Sequence, residues 1–567
     1  MGGAGGKGGD GGGGVVMANG YSVAVDVTSV TGGTGGKGGD GADIGNPATG
    51  SKGGDGGAGV IASGSGSVTI KTGTIRGGNG GDGGRGGIGF GTSIAGDGGR
   101  GGYGVDVAGT GDLIIQAGTI VIGGNGGIAG VPGTTNPPAP ATGLGGAGIR
   151  ASGGTNVTVA GTVAGGWNGT NTVQANALDF TGGGNSLTLV SGYTFNGNVV
   201  SDGTGLGDKL IFGGGDNASF ALSQLGGKFQ NFSTIEKSGS SVWTLTGTSS
   251  FSGNTIIRAG TLVVDGSYIN SALTIALGGT LKGQGIVGTT TVNSGGTINP
   301  GNGIGTLHVN GALVFAAGST YAVEGALEGA ADRLEVTGTA SLNGTVLVSS
   351  ALGANLFPLT PSQYTILTAA GAITGTFASV DTSALAFFDG QLDYSIAHAV
   401  KLTLTRNDLG LVDVAMGGNQ KSTAGAIESL GLGNPLYTGI LGLSSSQAQS
   451  AFQQLSGEGL GASGQSQEQT SGLVSTSIVD RVNHAFDAID QSGASNYVSA
   501  ASSSDVEASR SIWLSAYGAR SSVAAGVQNS ASATDTGGLT FGLDGELGAW
   551  TVGIWAAMDV RPAPSPR

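Results

Sequence analysis

Histidine is the side chain a hydrolase most often uses as its base, and this chain has three: His308, His398 and His484. His308 stands in the strand-like run GTLHVNG and His398 beside another such run. Both read as solvent-facing strand positions. No nucleophile, base and orienting group are spelled out around them, and no G-x-S-x-G, H-E-x-x-H or phosphate loop stands out. Asp332 and Glu335 are close enough in sequence to suggest the paired carboxylates of a glycan-cleaving groove, although Asp332 also fits a structural pattern described below. GGKGGDGAD, Gly35 to Asp43, partly follows the Ca²⁺-binding nonapeptide, and the runs at Gly5 and Gly77 follow it less well. The tandem nine-residue repeat is missing, and Ala42 stands where a large apolar residue would anchor a roll, so turn aspartates are the plainer reading. The GGNGG runs at Gly77 and Gly123 have neither the Lys-Ser/Thr of a phosphate loop nor a helix start behind them. The sequence therefore assigns no catalytic, cofactor-binding or metal-ligating residue and no cofactor.

Composition narrows the partners. Of 567 residues 123 are Gly, 10% are charged and 38% are hydrophobic. The apolar residues come in V-x-V and T-I patches between glycines, which favours an ordered β-stack over a uniformly disordered chain. The net charge of −14 comes without any Lys/Arg cluster, which argues against a nucleic-acid partner. Cysteine is absent, so no disulfide or thiolate metal site can form. The opening MGGAGGKGGDGGGG lacks the apolar core of a signal peptide. No apolar run approaches the ~18 residues of a membrane helix.

The elements that would position any surface are short strands. SVWTLTGTSSFSGNTIIRAGTLVV, Ser241 to Val264, reads as three, with Trp243 and Leu245 on one face, Leu262 and Val264 on another, and Gly247, Gly253 and Gly260 between them. So short a unit must be covered by copies of itself above and below, as in a solenoid. From Val15 to about Gly169 such copies recur: Gly59–Gly81 lies over Gly14–Gly36 at a shift of 45, and Val60 meets Val105 at the next shift. A fourth copy starts at Ile149. Each is a coil of roughly twenty residues followed by a Gly-rich excursion. The excursions, such as GGDGGRGG, repeat in threes with two glycines per triplet. The plainer reading is a permissive surface loop. The sharper one is extended segments with three residues per turn, packed side by side on the flank of the solenoid. Further coils follow through Leu307, Leu313, Tyr321, Leu334 and Val346, and Tyr364 to Arg406 reads as closing coils. Helical patterns then appear in STAGAIESLG, SQAQSAFQQLSGE and Ile478–Ile489. From Ser511, SIWLSAYGAR, GGLTFGLDGEL and AWTVGIWAAM alternate as transmembrane β-strands do.

These runs, in this order, resemble bacterial autotransporters, the type V secreted proteins. Ser241–Val264 looks like their associated β-strand repeat. Gly279, Pro300, Gly301, Asn302 and Asp332–Gly344 carry their passenger pattern. AFQQLSGE, Ala451 to Glu458, resembles the junction before the barrel, and IWLSAYG and TGGLTFGLD its first strands. The resemblance covers about Ser241 to Met558. It implies an all-β chain: a right-handed parallel β-helix passenger with Gly-rich excursions, a short helical linker and incomplete C-terminal barrel strands. The expected division is 1–170 glycine-rich repeats, 171–408 passenger, 409–510 helical junction and 511–567 the start of a barrel. Ile478–Ile489 would be the helix in the barrel pore. The implied function is a structural, adhesin-like surface passenger, present as a fragment without its full translocator. The implied partners are the outer membrane, through the missing remainder of the barrel, and an unknown cell-surface ligand. The alternatives are a glycan-binding or glycan-cleaving β-helix and a Ca²⁺-stabilised repeat protein.

Overall fold

The computed structural model describes residues 4–17, 22–43, 48–89, 92–134, 138–203, 207–326, 330–350, 362–457, 471–476, 478–480, 510–523, 532–547 and 550–560, and every structural statement concerns these. The chain divides into two compact units, residues 1–382 with 389–405, and residues 383–388 with 406–567.

The first unit is a parallel β-solenoid. Its strands are mostly three to five residues long, and each pairs in parallel with its equivalent one coil on. Among the described residues they build sheets of seven, sixteen, eight and seven strands. The 45-residue shift read from the sequence is the register itself: Val15 pairs with Val60, and Val60 with Val105. Inward positions stack in columns. In the sixteen-stranded sheet one column runs Leu189, Phe212, Lys237, Ile257, Ile275, Val292. Its members are all fully buried, and all but Lys237 are apolar. Ser241–Val264 forms the three expected strands, Val242–Thr246, Asn254–Ile257 and Gly260–Val264. Trp243, Leu245, Leu262 and Val264 are fully buried, with Trp243 over Leu262 across the register.

The Gly-rich excursions take the packed form. No helix or strand is assigned to them, yet their N–H groups are used at a period of three. Gly8, Gly11 and Gly14 donate to Lys52, Asp55 and Ala58 of the next coil, 2.8–3.0 Å away. Gly33, Gly36 and Gly39 donate back to Gly12, Gly9 and Gly6. Outgoing segments (32–43, 77–87, 123–131, 165–169) form one layer and returning segments (5–14, 49–59, 94–104, 141–148) the other. Neighbours run parallel within a layer and antiparallel across it. Three residues per turn, with every bond made to another segment, is polyproline-II geometry. The result is a two-layer glycine slab carried by the first coils of the solenoid.

The end of the first unit corrects one expectation. Ala399–Arg406 is not a further coil. It runs antiparallel to Ser362–Ala369 and lies beside Phe388–Asp393 in the sheet. The chain enters it from Phe388–Asp393 by a tight reversal at 395–398, where Ala399 N–H bonds Ile396 O and His398 takes φ +65°. A short turn can join only antiparallel strands, since a parallel return needs a crossover.

In the second unit four helices, α1 (Leu411–Val414), α2 (Gly418–Leu430), α3 (Pro435–Leu441) and α4 (Ser445–Leu455), bury Leu411, Ala424, Ile427, Ile440, Leu441, Ala448 and Phe452. Ser444 and Gln447 form a reciprocal capping box at the start of α4. Three long strands, Arg510–Val523, Ser532–Leu547 and Trp550–Val560, form an antiparallel meander. Of the anticipated helix Ile478–Ile489, residues 478–480 are helical, and the rest lies outside the described residues.

Candidate functional site

The slab turns its side chains outward from both of its layers, and its hydrogen bonds give the reason. In triplets with neighbouring segments on every side, the first glycine donates along its layer and the second across to the other layer: Gly53 to Asp97, Gly54 to Gly36, Gly80 to Asn125, Gly81 to Gly54. A Cβ at any of these four would lie 2.0–2.1 Å from a carbonyl oxygen. At such triplets two of every three positions are closed to side chains and the third can only face outward, whereas at the edge segment Gly6, Gly9 and Gly12 have open space beside them.

The outward residues do two jobs. Lys7–Asp10, Lys37–Asp40 and Lys52–Asp55 form i,i+3 ion pairs of 3.0–3.1 Å along their segments. Being exposed, these contribute little to stability. The Asp and Asn side chains also reach across coils. Asp10 accepts the N–H of Asp55, Asp40 that of Arg85, Asp55 that of Arg100, Asn79 that of Asn125, Asp82 that of Ile128, Asp97 that of Ala141 and Asn125 that of Trp167, at 2.7–2.9 Å. Each serves an N–H that the glycine lattice leaves over. The bond from Asp55 N–H holds the Asp10 carboxyl below its ordinary range, and that from Arg85 N–H does the same for Asp40. This accounts for the D and N of the GGDGG and GGNGG runs. It also places the residues of the Ca²⁺-like stretch: Asp40 holds Arg85 N–H, while Asp43 holds the Arg85 guanidinium at 2.7 Å and the N–H of Ile88. Toward the later coils the outward side chains turn apolar, with Ile128, Val131, Leu144 and Trp167 all exposed.

The residues considered for catalysis do not converge. Asp332 and Glu335 are three apart on or beside one strand and so point to opposite sides of the sheet. Asp332 is fully buried and binds two backbone N–H groups, Gly305 and Glu324, both at 2.9 Å. It ties the Pro300–Gly305 corner to the end of the strand Thr320–Gly325. Burial lifts its pKa to about 7, Glu324 adds to the rise, and the two N–H bonds oppose it. Glu335 faces outward in a ladder with His308 (3.1 Å) and Arg333 (3.0 Å), and Arg333 also donates to Thr368. His308 does stand at a solvent-facing strand position, as expected. His398 occupies the reversal described above, with Nδ1 2.8 Å from Gly371 O. His484 lies outside the described residues. Sequence reading passed over Lys237, whose amine donates to the carbonyls of Ser238, Gly239 and Ala259 at 2.7–3.1 Å. Burial lowers its pKa to about 8. The available signal was a lysine at a position where the neighbouring coils carry Phe212 and Ile257.

The meander shows a second periodicity. Leu514, Phe541 and Ala556 share a cross-strand row, as do Ala516, Leu539 and Met558, and Leu543 and Ile554. All are exposed, while Thr540, between Leu539 and Phe541, is buried. No helix among the described residues is long and apolar enough to cross a membrane.

Residues 235–264 match the passenger-associated-transport-repeat family, so the chain carries a repeat of that kind. It is similar to extracellular serine proteases of Serratia marcescens. One alignment is 31% identical over 208 residues, covering 36% of this chain and 20% of the relative. Another is 28% identical over 247 residues, covering 42% and 23%. The chain thus spans about a fifth of the length of the curated relatives it matches.

Proposed function

We propose that this chain is the displayed passenger of an autotransporter: a non-catalytic β-solenoid that presents an adhesive surface outside the cell. The observation that carries this reading is the slab. Its lattice forces every third side chain outward, so charged and apolar groups stand in fixed rows on a rigid support. A surface of that kind suits broad, low-affinity contact with another surface rather than capture of a small substrate. The exposed apolar rows of the meander support a lipid-facing role for the C-terminal strands, which would link the chain to the outer membrane. A second reading, proteolysis, is favoured by the names of the Serratia relatives.

One pair of assays separates the two. Fluorescent full-length chain should bind whole cells saturably, and unlabelled chain should compete it off, with no casein hydrolysis. Casein hydrolysis abolished by a serine-directed fluorophosphonate, without saturable cell binding, would replace the adhesive reading with the proteolytic one.

A further inference from the structure

Asn–Gly is the dipeptide most prone to intramolecular cyclisation, because glycine leaves the attacking nitrogen unhindered. Within the described residues it occurs at Asn79, Asn125, Asn168, Asn196, Asn302, Asn310 and Asn343. At four of them the fold ties up the glycine nitrogen. Gly80, Gly126 and Gly169 donate to the carbonyls of Asn125, Trp167 and Gly143 on other segments, and Gly311 donates to Thr337 Oγ1. The side-chain oxygens of Asn79, Asn125 and Asn168 are likewise held by backbone N–H groups elsewhere. Asn343 is different. It is exposed, and the N–H of Gly344 points at its own neighbour's side chain, 2.8 Å from Asn343 Oδ1. That contact brings the nitrogen up to the side-chain amide it would attack. At Asn196 and Asn302 the following N–H makes no such approach.

We propose that Asn343–Gly344 is a self-modifying site, where the turn favours succinimide formation. The Gly344 amide loses its proton and its nitrogen bonds to Asn343 Cγ. The Cγ–Nδ2 bond breaks and ammonia leaves. Water then opens the imide at either carbonyl, giving aspartate or isoaspartate. Isoaspartate adds a methylene to the backbone at residue 343, which lengthens a turn whose next residue is tightly placed. Gly344 sits at φ +75°, and even a Cβ there would meet Ser319 O at 2.3 Å. The strand that follows, Thr345–Ser350, pairs with Thr320–Gly325 on one side, and its first residues pair with Ser379–Asp381 on the other. The change therefore loosens this coil with age.

The test is to hold the full-length chain in mildly alkaline buffer and follow every Asn–Gly peptide by mass spectrometry, folded and in urea. Folded, Asn343 should gain one mass unit several times faster than Asn196 or Asn302 and become a substrate for isoaspartyl methyltransferase. In urea the three should convert alike. Asn343→Gln should stop conversion at that site and leave the melting temperature of fresh protein unchanged. Equal or faster conversion at Asn196 or Asn302 in the folded chain would overturn the proposal. So would an Asn343 that converts only in urea.

Discussion

Asp332 and Lys237 are buried ionisable groups whose environments predict opposite pH slopes. Asp332 titrates near 7 in the folded chain and near ~4 when unfolded. Between these values the folded state holds a proton that the unfolded state has released. The stability that Asp332 contributes is therefore fully present below pH ~4 and is lost as pH rises through 7, with a limiting slope of about 1.4 kcal/mol per pH unit. Lys237 titrates near 8 when folded and near ~10.4 when unfolded. In that window the unfolded state binds the extra proton, so stability rises with pH. Urea midpoints should show both slopes. Asp332→Asn should flatten the acid-side slope alone and Lys237→Met the alkaline one alone. If both slopes persist in both variants, other groups carry them.

At the scale of elements, the slab and the columns fail differently. Gly54→Ala would set a methyl 2.0 Å from Gly9 O, and a backbone oxygen between two coils has little room to yield. We expect a loss of about 1–3 kcal/mol or more, against a change within about 0.5 kcal/mol for Lys37→Ala on the exposed face. Leu262→Ala, in the Trp243 column, should cost about 2–5 kcal/mol. Circular dichroism melts of the three variants would rank them. This contrast marks what the sequence could tell. The columns were legible because Val60, Val105 and their equivalents recur at a fixed shift with period-two alternation. The slab was half legible. Triplets of GGDGG gave its period, but glycine fits a loose loop equally well, and no side-chain pattern records which carbonyl lies against Gly54. The purpose of Asp10 or Asn79 was hidden for the same reason, since its partner is a backbone N–H about 45 residues away. The antiparallel return of Ala399–Arg406 was missed because VKLTLTRND alternates as a coil strand does, and only the turn at His398 sets its direction. Lys237 was passed over because charge in a strand normally reads as surface.

For the whole molecule, the solenoid and the C-terminal meander call on different solvents. The coils of the solenoid stack their apolar columns inward, whereas the meander leaves Leu514, Leu539, Phe541, Leu543, Ile554 and Met558 exposed. If those rows face lipid, Phe541→Arg should weaken association of the full chain with phospholipid vesicles by about 2–4 kcal/mol, while Lys37→Ala leaves it unchanged. Flotation with vesicles would read this directly, and equal flotation of both variants would remove the lipid-facing role.

The central claim is that the glycine excursions are a hydrogen-bonded slab, and amide hydrogen exchange across residues 5–169 of the full chain tests it most directly. The account predicts slow exchange at both glycines of triplets such as Gly53–Gly54, Gly80–Gly81 and Gly98–Gly99. Slow exchange should extend to third positions such as Asp55, Arg85, Arg100 and Ile128, which bond an Asp side chain one coil earlier. It should not extend to Asp82 or Leu144, which follow Lys37 and Arg100. Fast exchange throughout these excursions would contradict it.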